Sequence, residues 1–325
     1  TPSVFESSRV AMSGAWQYGY FPAGCRAHVV QVGLGDNRTF LHDWFESPPE
    51  LRWLLSSISS HHDFCGVAVE PVWRHLEAAY HLAESAGYAS NVALIQAALG
   101  QQLGRTAIYR VEELPPEELK GFSEAELEEY ELQMSYLRNM SCVEELSDWL
   151  QYRHHLLEEQ LKVHVPITQD VVPLWTWQRL VEETGFVGCE VLLIDAEGFD
   201  VEILRSLAEY CADRVEELPW VIQFESNGLC NARAGYDCER EIVTEFEKLG
   251  YLLLGRGRDT YMVLKSAWST SLQEWLSSWT CVECDAKNSY PYALMPEVLC
   301  QSCADCVWKK RSSESSDDSC ETTLT

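Results

Sequence analysis

Val191-Leu192-Leu193-Ile194-Asp195-Ala196-Glu197-Gly198-Phe199-Asp200-Val201-Glu202-Ile203-Leu204 is the stretch on which the fold turns. An unbroken apolar run from Val191 to Ile194, closed by a charged turn, predicts a strand buried on both faces of a parallel sheet. From Phe199 or Asp200 the period changes. Val201, Leu204, Leu207 and Ala208 recur at helical spacing, so a helix starts there. Asp195 and Glu197 therefore stand at the carboxyl end of a central strand, where ligands of open α/β sheets collect. Such a pair is either a site or a set of turn and capping residues, and two acids beside a glycine favour the site.

Working outward, His28 to Val32 reads as a buried strand running into the turn Gly33-Leu34-Gly35-Asp36-Asn37. Phe64 to Val69 reads as a second strand, ending at Glu70-Pro71. It leads into an amphipathic helix on which Trp73, Leu76, Ala79, Tyr80 and Ala83 recur at three and four. Asn91 to Gly100 reads as a third strand and Thr106 to Val111 as a fourth. The sheet pattern resumes at Val163-His164-Val165-Pro166, followed by a helix from Trp175 to Glu183. Trp220 to Glu225 is another strand ending in an acid, and Glu239 to Leu249 another helix. Tyr251 to Leu254 and Tyr261 to Leu264 are joined too closely for a crossover, so they pair antiparallel. This rhythm predicts an α/β fold: a doubly wound, mostly parallel sheet of about seven strands ending in an antiparallel hairpin. Residues before about Arg26 give no clear element.

The chain has 325 residues, 46% hydrophobic and 23% charged, enough for one large domain plus an appendage. Its formal net charge of -27 repels phosphate backbones and anionic membrane surfaces, so no nucleic-acid partner is expected. No apolar run approaches the roughly 20 residues that span a bilayer. A cytoplasmic location is the expectation, with the first residue, Thr1, consistent with a trimmed start. Pro115-Pro116 opens an acidic, helix-prone insertion at about 112–162. Its charge run reads as a solvated helical face, or as a lid or a protein-partner surface.

The 13 cysteines fall into two groups. Cys25, Cys65, Cys142, Cys189 and Cys211 are scattered through apolar segments, as buried free thiols are. Cys281-x2-Cys284-x15-Cys300-x2-Cys303 has the spacing of two knuckles closing on a structural Zn2+, with Cys306 an alternative fourth ligand. Four thiolates leave no open position, so this small Cys-rich module at 268–308 is expected to fold around zinc and contact proteins rather than catalyse. The tail at 309–325 is too polar to fold.

Six parallel strands with an antiparallel final hairpin resemble the sheet of class I methyltransferases, which use S-adenosylmethionine. Leu193-Ile194-Asp195-Ala196-Glu197-Gly198-Phe199-Asp200, with Ile203-Leu204, is similar to the signature of the FkbM-type family. Val67-Ala68-Val69-Glu70-Pro71 and Ala97-Ala98-Leu99-Gly100 resemble that family's second- and third-strand motifs, and Val32 to Asn37 sits where its nucleotide loop belongs. The resemblance implies a methyltransferase-like domain over 27–267, preceded by an extension at 1–26. It also implies methyl transfer to a hydroxyl of a small molecule or glycan. Gln31, Gly33, Gly35, Asn37 and Glu70 would then bind the cofactor, Glu70 through the ribose hydroxyls, for which an ionised carboxylate is a suitable acceptor.

Methyl transfer to oxygen needs an acceptor held in line with the methyl and a route for its proton. Asp195 and Glu197 stand where one orients and the other acts as base, or where both hold a divalent cation that acidifies the hydroxyl. Glu225 and His164, from neighbouring strand ends, are weaker candidates. Gln31 replaces the acid that precedes the family's first glycine, and Asn37 its closing glycine. Those two departures support the rival reading, a non-catalytic scaffold that binds proteins through its acidic insertion and Cys-rich module.

Overall fold

The computed structural model describes residues 10–12, 15–18, 26–35, 65–85, 87, 89, 91–138, 141–143, 148–256 and 259–267. Its strands, in chain order, are β1 (Val10–Met12), β2 (Ala15–Tyr18), β3 (Ala27–Val32), β4 (Gly66–Val69), β5 (Val92–Ile95), β6 (Ala98–Leu99), β7 (Gly104–Val111), β8 (Ser141–Val143), β9 (Ile167–Trp175), β10 (Cys189–Ile194), β11 (Val221–Glu225), β12 (Tyr251–Arg256) and β13 (Asp259–Leu264). The helices are α1 (Trp73–Ser85), α2 (Pro116–Leu119), α3 (Glu124–Leu137), α4 (Asp148–Leu161), α5 (Trp177–Thr184), α6 (Asp200–Cys211), α7 (Leu229–Ala234) and α8 (Cys238–Lys248).

The main sheet runs β1-β2-β5-β4-β3-β10-β11-β13-β12. From β5 to β11 every pairing is parallel; β13 then pairs antiparallel with both β11 and β12. That is the doubly wound sheet with a closing hairpin that the periodicity predicts. The parallel part starts at β3, works outward to β5, and returns to lay β10 on the other side of β3. The order therefore reverses between β3 and β10, and such a reversal opens a crevice at the carboxyl edge. The antiparallel pair β1 and β2, which no pattern announces, extends the sheet beyond β5.

Burial explains the strand register. Leu192 and Ile194 on β10 share one core with Val30 and Val32 on β3 and with Ile222 and Phe224 on β11. Leu180 of α5, Leu204 and Leu207 of α6, and Ile242 and Phe246 of α8 close over it. Helix ends are set locally. The Thr176 hydroxyl accepts the Arg179 N–H to start α5, and Gly185, at φ +78°, ends it in the left-handed conformation. Asp237 caps α8 by accepting the Arg240 N–H.

Three expectations from periodicity differ from the structure. The run from Asn91 to Gly100 breaks at Gln96-Ala97, so β5 joins the main sheet while β6 joins a second, four-stranded sheet, β6-β9-β7-β8. Thr106 to Val111 belongs to β7, which pairs antiparallel with β9 in that second sheet rather than in the parallel one. The sheet pattern read at 163–166 starts later, at Ile167, because Val163 and Val165 pack into the core of the helical insertion instead. A continuous apolar run says that a segment is buried, not which sheet buries it.

The second sheet has two apolar contacts. Val111 and Cys142 pack with Leu114, Tyr130, Met134, Leu157 and Leu161 of the insertion, whose helix α3 opens with a capping box from Ser123 to Glu126. Ile108, Val143 and Val172 pack with Ala98, Val72 and Phe199. Phe199 lies in the turn after β10, so the second sheet bears directly on the acidic block. Cys281, Cys284, Cys300 and Cys303 lie outside the described residues, as does Asn37.

Candidate functional site

Strands β3 and β10 end level with each other, Val32 beside Ile194, and β11 ends beside β10 with Phe224 next to Ile194. The Asp195 N–H donates to the Val32 carbonyl (2.9 Å), and the Gly33 N–H to the Val69 carbonyl (2.9 Å). Gly33 has φ +83°, and a Cβ there would fall 1.8 Å from the Asp195 carbonyl oxygen. Only glycine allows that approach. The glycine turn and the acidic block, far apart in sequence, are thus one contact. The space left by the missing Cβ is filled by the protein's own backbone.

Glu70 is 2% exposed and is bound to the same turn. Its Oε2 accepts the Leu34 N–H (2.8 Å), and its Oε1 accepts the Val72 N–H (2.8 Å), with His75 Nδ1 3.5 Å from Oε1. In this arrangement the carboxylate fastens the glycine turn to the end of β4. Gln31 is also buried, at 6% exposure. Its Nε2 donates to the Gly33 carbonyl (3.0 Å), while its Oε1 has no hydrogen-bond partner. Leaving a buried acceptor unmade costs about 1–3 kcal/mol, so Gln31 is held at some cost beside the glycine turn.

The acids converge. Asp195 is exposed, Glu197 is half-buried at φ +50°, and Glu225 is buried; a carboxylate oxygen from each lies within 4.8 Å of the others. Hard oxygen ligands at this spacing suit Mg2+ or Ca2+. Glu225 Oε1 also accepts a hydrogen bond from Asn227 Nδ2 (2.7 Å). The strand-end reading that ranked Glu225 below Asp195 and Glu197 missed how directly β11 delivers it. His164 is not brought to this cluster: its Nδ1 is 2.7 Å from Glu158 Oε1 on the insertion.

Asp200, the first residue of α6, reads from periodicity only as a helix start. It is fully buried and accepts the Glu225 N–H (3.3 Å), joining the turn after β10 to the end of β11. Burial pushes its pKa well up, the charges of Asp195 and Glu225 push it further, and backbone hydrogen bonds from its own residue and Ala196 oppose them. Burial and the neighbouring charges thus favour the protonated form of this carboxyl over the ionised one. The available signal was a third acid within six residues of Asp195.

No protein-family model matches the chain, and no curated protein does. Among solved structures, an O-methyltransferase from Bacillus cereus in complex with SAH matches at 12% identity over 73% of this chain and 73% of that one. Its TM-score is 0.31, and at that distance no feature passes from one chain to the other. No helix among the described residues is long and apolar enough to cross a membrane.

Proposed function

We propose that this protein is an S-adenosylmethionine-dependent methyltransferase acting on a hydroxyl of a small molecule or glycan. The observation that carries the reading is the convergence of Asp195, Glu197 and Glu225 at the carboxyl edge, beside the point where the strand order reverses. That edge is the crevice where doubly wound sheets bind nucleotides. When bound, S-adenosylmethionine supplies an electrophilic methyl on a sulfonium. Gln31 would take a hydrogen bond from the cofactor, and the turn Gly33-Leu34-Gly35, fixed by Glu70, would shape its berth. Asp195 and Glu197 would orient the acceptor hydroxyl and take its proton, with Glu225 as a third carboxylate. A divalent cation, if used, would be held by the same three acids. The resemblance of the strand-end motifs to those of the FkbM-type family supports this assignment, and zinc at Cys281, Cys284, Cys300 and Cys303 is assigned on spacing alone.

One observation favours the non-catalytic scaffold. Both Glu70 oxygens are engaged by backbone N–H groups, so a ribose would have to share or displace them. Isothermal titration with S-adenosylmethionine separates the readings. Micromolar binding, weakened by Gln31→Leu, is expected of the enzyme; no binding by the full-length protein overturns it. With an acceptor found by screening hydroxyl compounds for methyl uptake, Asp195→Asn and Glu197→Gln should each lower kcat by about 10²-fold or more with the fold intact. Adding Mg2+ or EDTA in the same assay tests the cation.

A further inference from the structure

The acids at the carboxyl edge sit on a turn that would not hold this shape by itself. Glu197 occupies the left-handed region at φ +50°, and Gly198 follows at φ +92°. That conformation is unfavourable for a side-chain-bearing residue and persists only where surrounding contacts enforce it. The contacts come from outside the turn. Arg233, on α7, donates from Nε to the Gly198 carbonyl (3.1 Å), and its guanidinium carbon lies 3.7 Å from the centre of the Phe199 ring. Its Nη2 is ion-paired with Glu202 on the first turn of α6. Leu229, on the same short helix, packs so close to Gly198 that a Cβ there would be 3.3 Å from the leucine Cβ.

Helix α7 is itself fastened. Glu239, 1% exposed, accepts the Gly228 N–H (3.0 Å) and a hydrogen bond from Asn231 Nδ2 (3.2 Å). Asn231 Oδ1 in return accepts the Glu239 N–H (2.9 Å). Phe199 meanwhile packs into the cluster of the second sheet with Val172 and Ile108. The turn is thus gripped between the second sheet and α7.

We propose that Arg233 is a positioning residue: by holding the Gly198 carbonyl, the Phe199 ring and Glu202 together, it fixes Glu197 in the left-handed conformation that aims its carboxylate at Asp195 and Glu225. The functional half of this inference rests on the methyltransferase reading; the conformational half does not. Guanidinium suits the task because its planar fork bonds a carbonyl and a carboxylate at once while stacking on a ring, which an ammonium does not.

The test has two readouts. In a thermal double-mutant cycle on the full chain, Glu197→Gly should raise Tm by about 2 °C in the wild-type background, where the turn is held strained. In the Arg233→Gln background it should raise Tm by nothing, because the turn has relaxed. Equal shifts in both backgrounds overturn the proposal whether or not the protein is an enzyme. If Arg233→Gln unfolds, Arg233→Lys carries the same comparison. In methyl-transfer assays with the screened acceptor, Arg233→Gln should lower kcat roughly 10- to 100-fold while KM for S-adenosylmethionine holds, and Arg233→Lys should recover part of the loss. An unchanged kcat also overturns the proposal. Failure of the wild type to bind S-adenosylmethionine counts against the enzyme reading alone.

Discussion

Strand β10 has a buried carboxyl at its amino end, Glu190, and leads at its other end to a second, Asp200 at the start of α6, in two different settings. At the amino end Glu190 is 9% exposed, and burial lifts its pKa to about 7 against the opposing pull of Arg26. Arg26 donates to the Cys189, Glu216 and Leu218 carbonyls and lies 5.0 Å from the Trp220 ring centre. Nearby, burial is also the main force pushing the Cys211 thiol up to about 12. Gly188 lets the Glu217 backbone in, as Gly33 admits Asp195 at the other end. Both edges thus have a buried acid and a glycine at close approach.

What differs is where the side chains lead. Arg26 binds backbone carbonyls and seals the lower edge. At the upper edge, carboxylates from the ends of β10 and β11 meet one another, and Asp200 links the two loops beneath them. A raised pKa marks burial and accompanies structural groups as readily as functional ones. Convergence of side chains from separate strands is the better sign of a site, because packing alone has no use for mutual repulsion.

The sharpest way to break this comparison is at the two glycines. Gly33→Ala should destabilise by on the order of 4 kcal/mol or more, since the new methyl would lie 1.8 Å from the Asp195 carbonyl oxygen at a φ of +83°. Gly188→Ala, with 2.5 Å to the Glu217 carbonyl oxygen, should cost less. Urea denaturation of both decides; a Gly33→Ala loss under about 1 kcal/mol would mean that the two loops do not touch.

A smaller effect separates the edges by pH. The folded-state pKa of Glu190, about 7, lies above its ordinary 4.5. Between those values the folded chain binds the extra proton, so this group's contribution is fully present below about pH 4.5, declines as pH rises, and is lost above about 7. Glu190→Gln should remove that decline and leave the variant more stable at pH 8 by about 2 kcal/mol, as followed by urea midpoints against pH. An unaltered pH profile would place Glu190 in water.

The smallest effect is expected at Asp200. Because burial and the neighbouring charges favour the neutral carboxyl, Asp200→Asn should stay within about 1 kcal/mol of wild type at pH 7, keeping the acceptor for the Glu225 N–H. A much larger loss would show that the charged form is the one built in.

Much of the frame was legible in the residues. Val67 to Val69 and Val191 to Ile194 are apolar on both faces, as is Val29 to Val32 apart from Gln31, which only a covered parallel sheet requires, and the short link from Tyr251 to Leu264 left the closing hairpin no other pairing. The second sheet was not legible. Whether Ala98-Leu99 continues β5 or turns away to meet Trp175 is settled by the Gly100 N–H bonding the Trp175 carbonyl (2.9 Å), a contact between residues far apart in sequence. The candidate site divides the same way. Asp195 and Glu197 announce themselves beside a glycine at a strand end, whereas Glu225 reads only as a weaker candidate at a neighbouring strand end.

The sequence by itself determined the α/β class, the central strand and the edge at which its acids gather, because periodicity and local turn chemistry are properties of neighbouring residues. Only the tertiary structure decided that Gly33 serves Asp195, that Glu70 ties down a turn, and that Arg233 grips Gly198 and Phe199. Those facts depend on atoms meeting across dozens to hundreds of residues, and no local pattern encodes such a meeting.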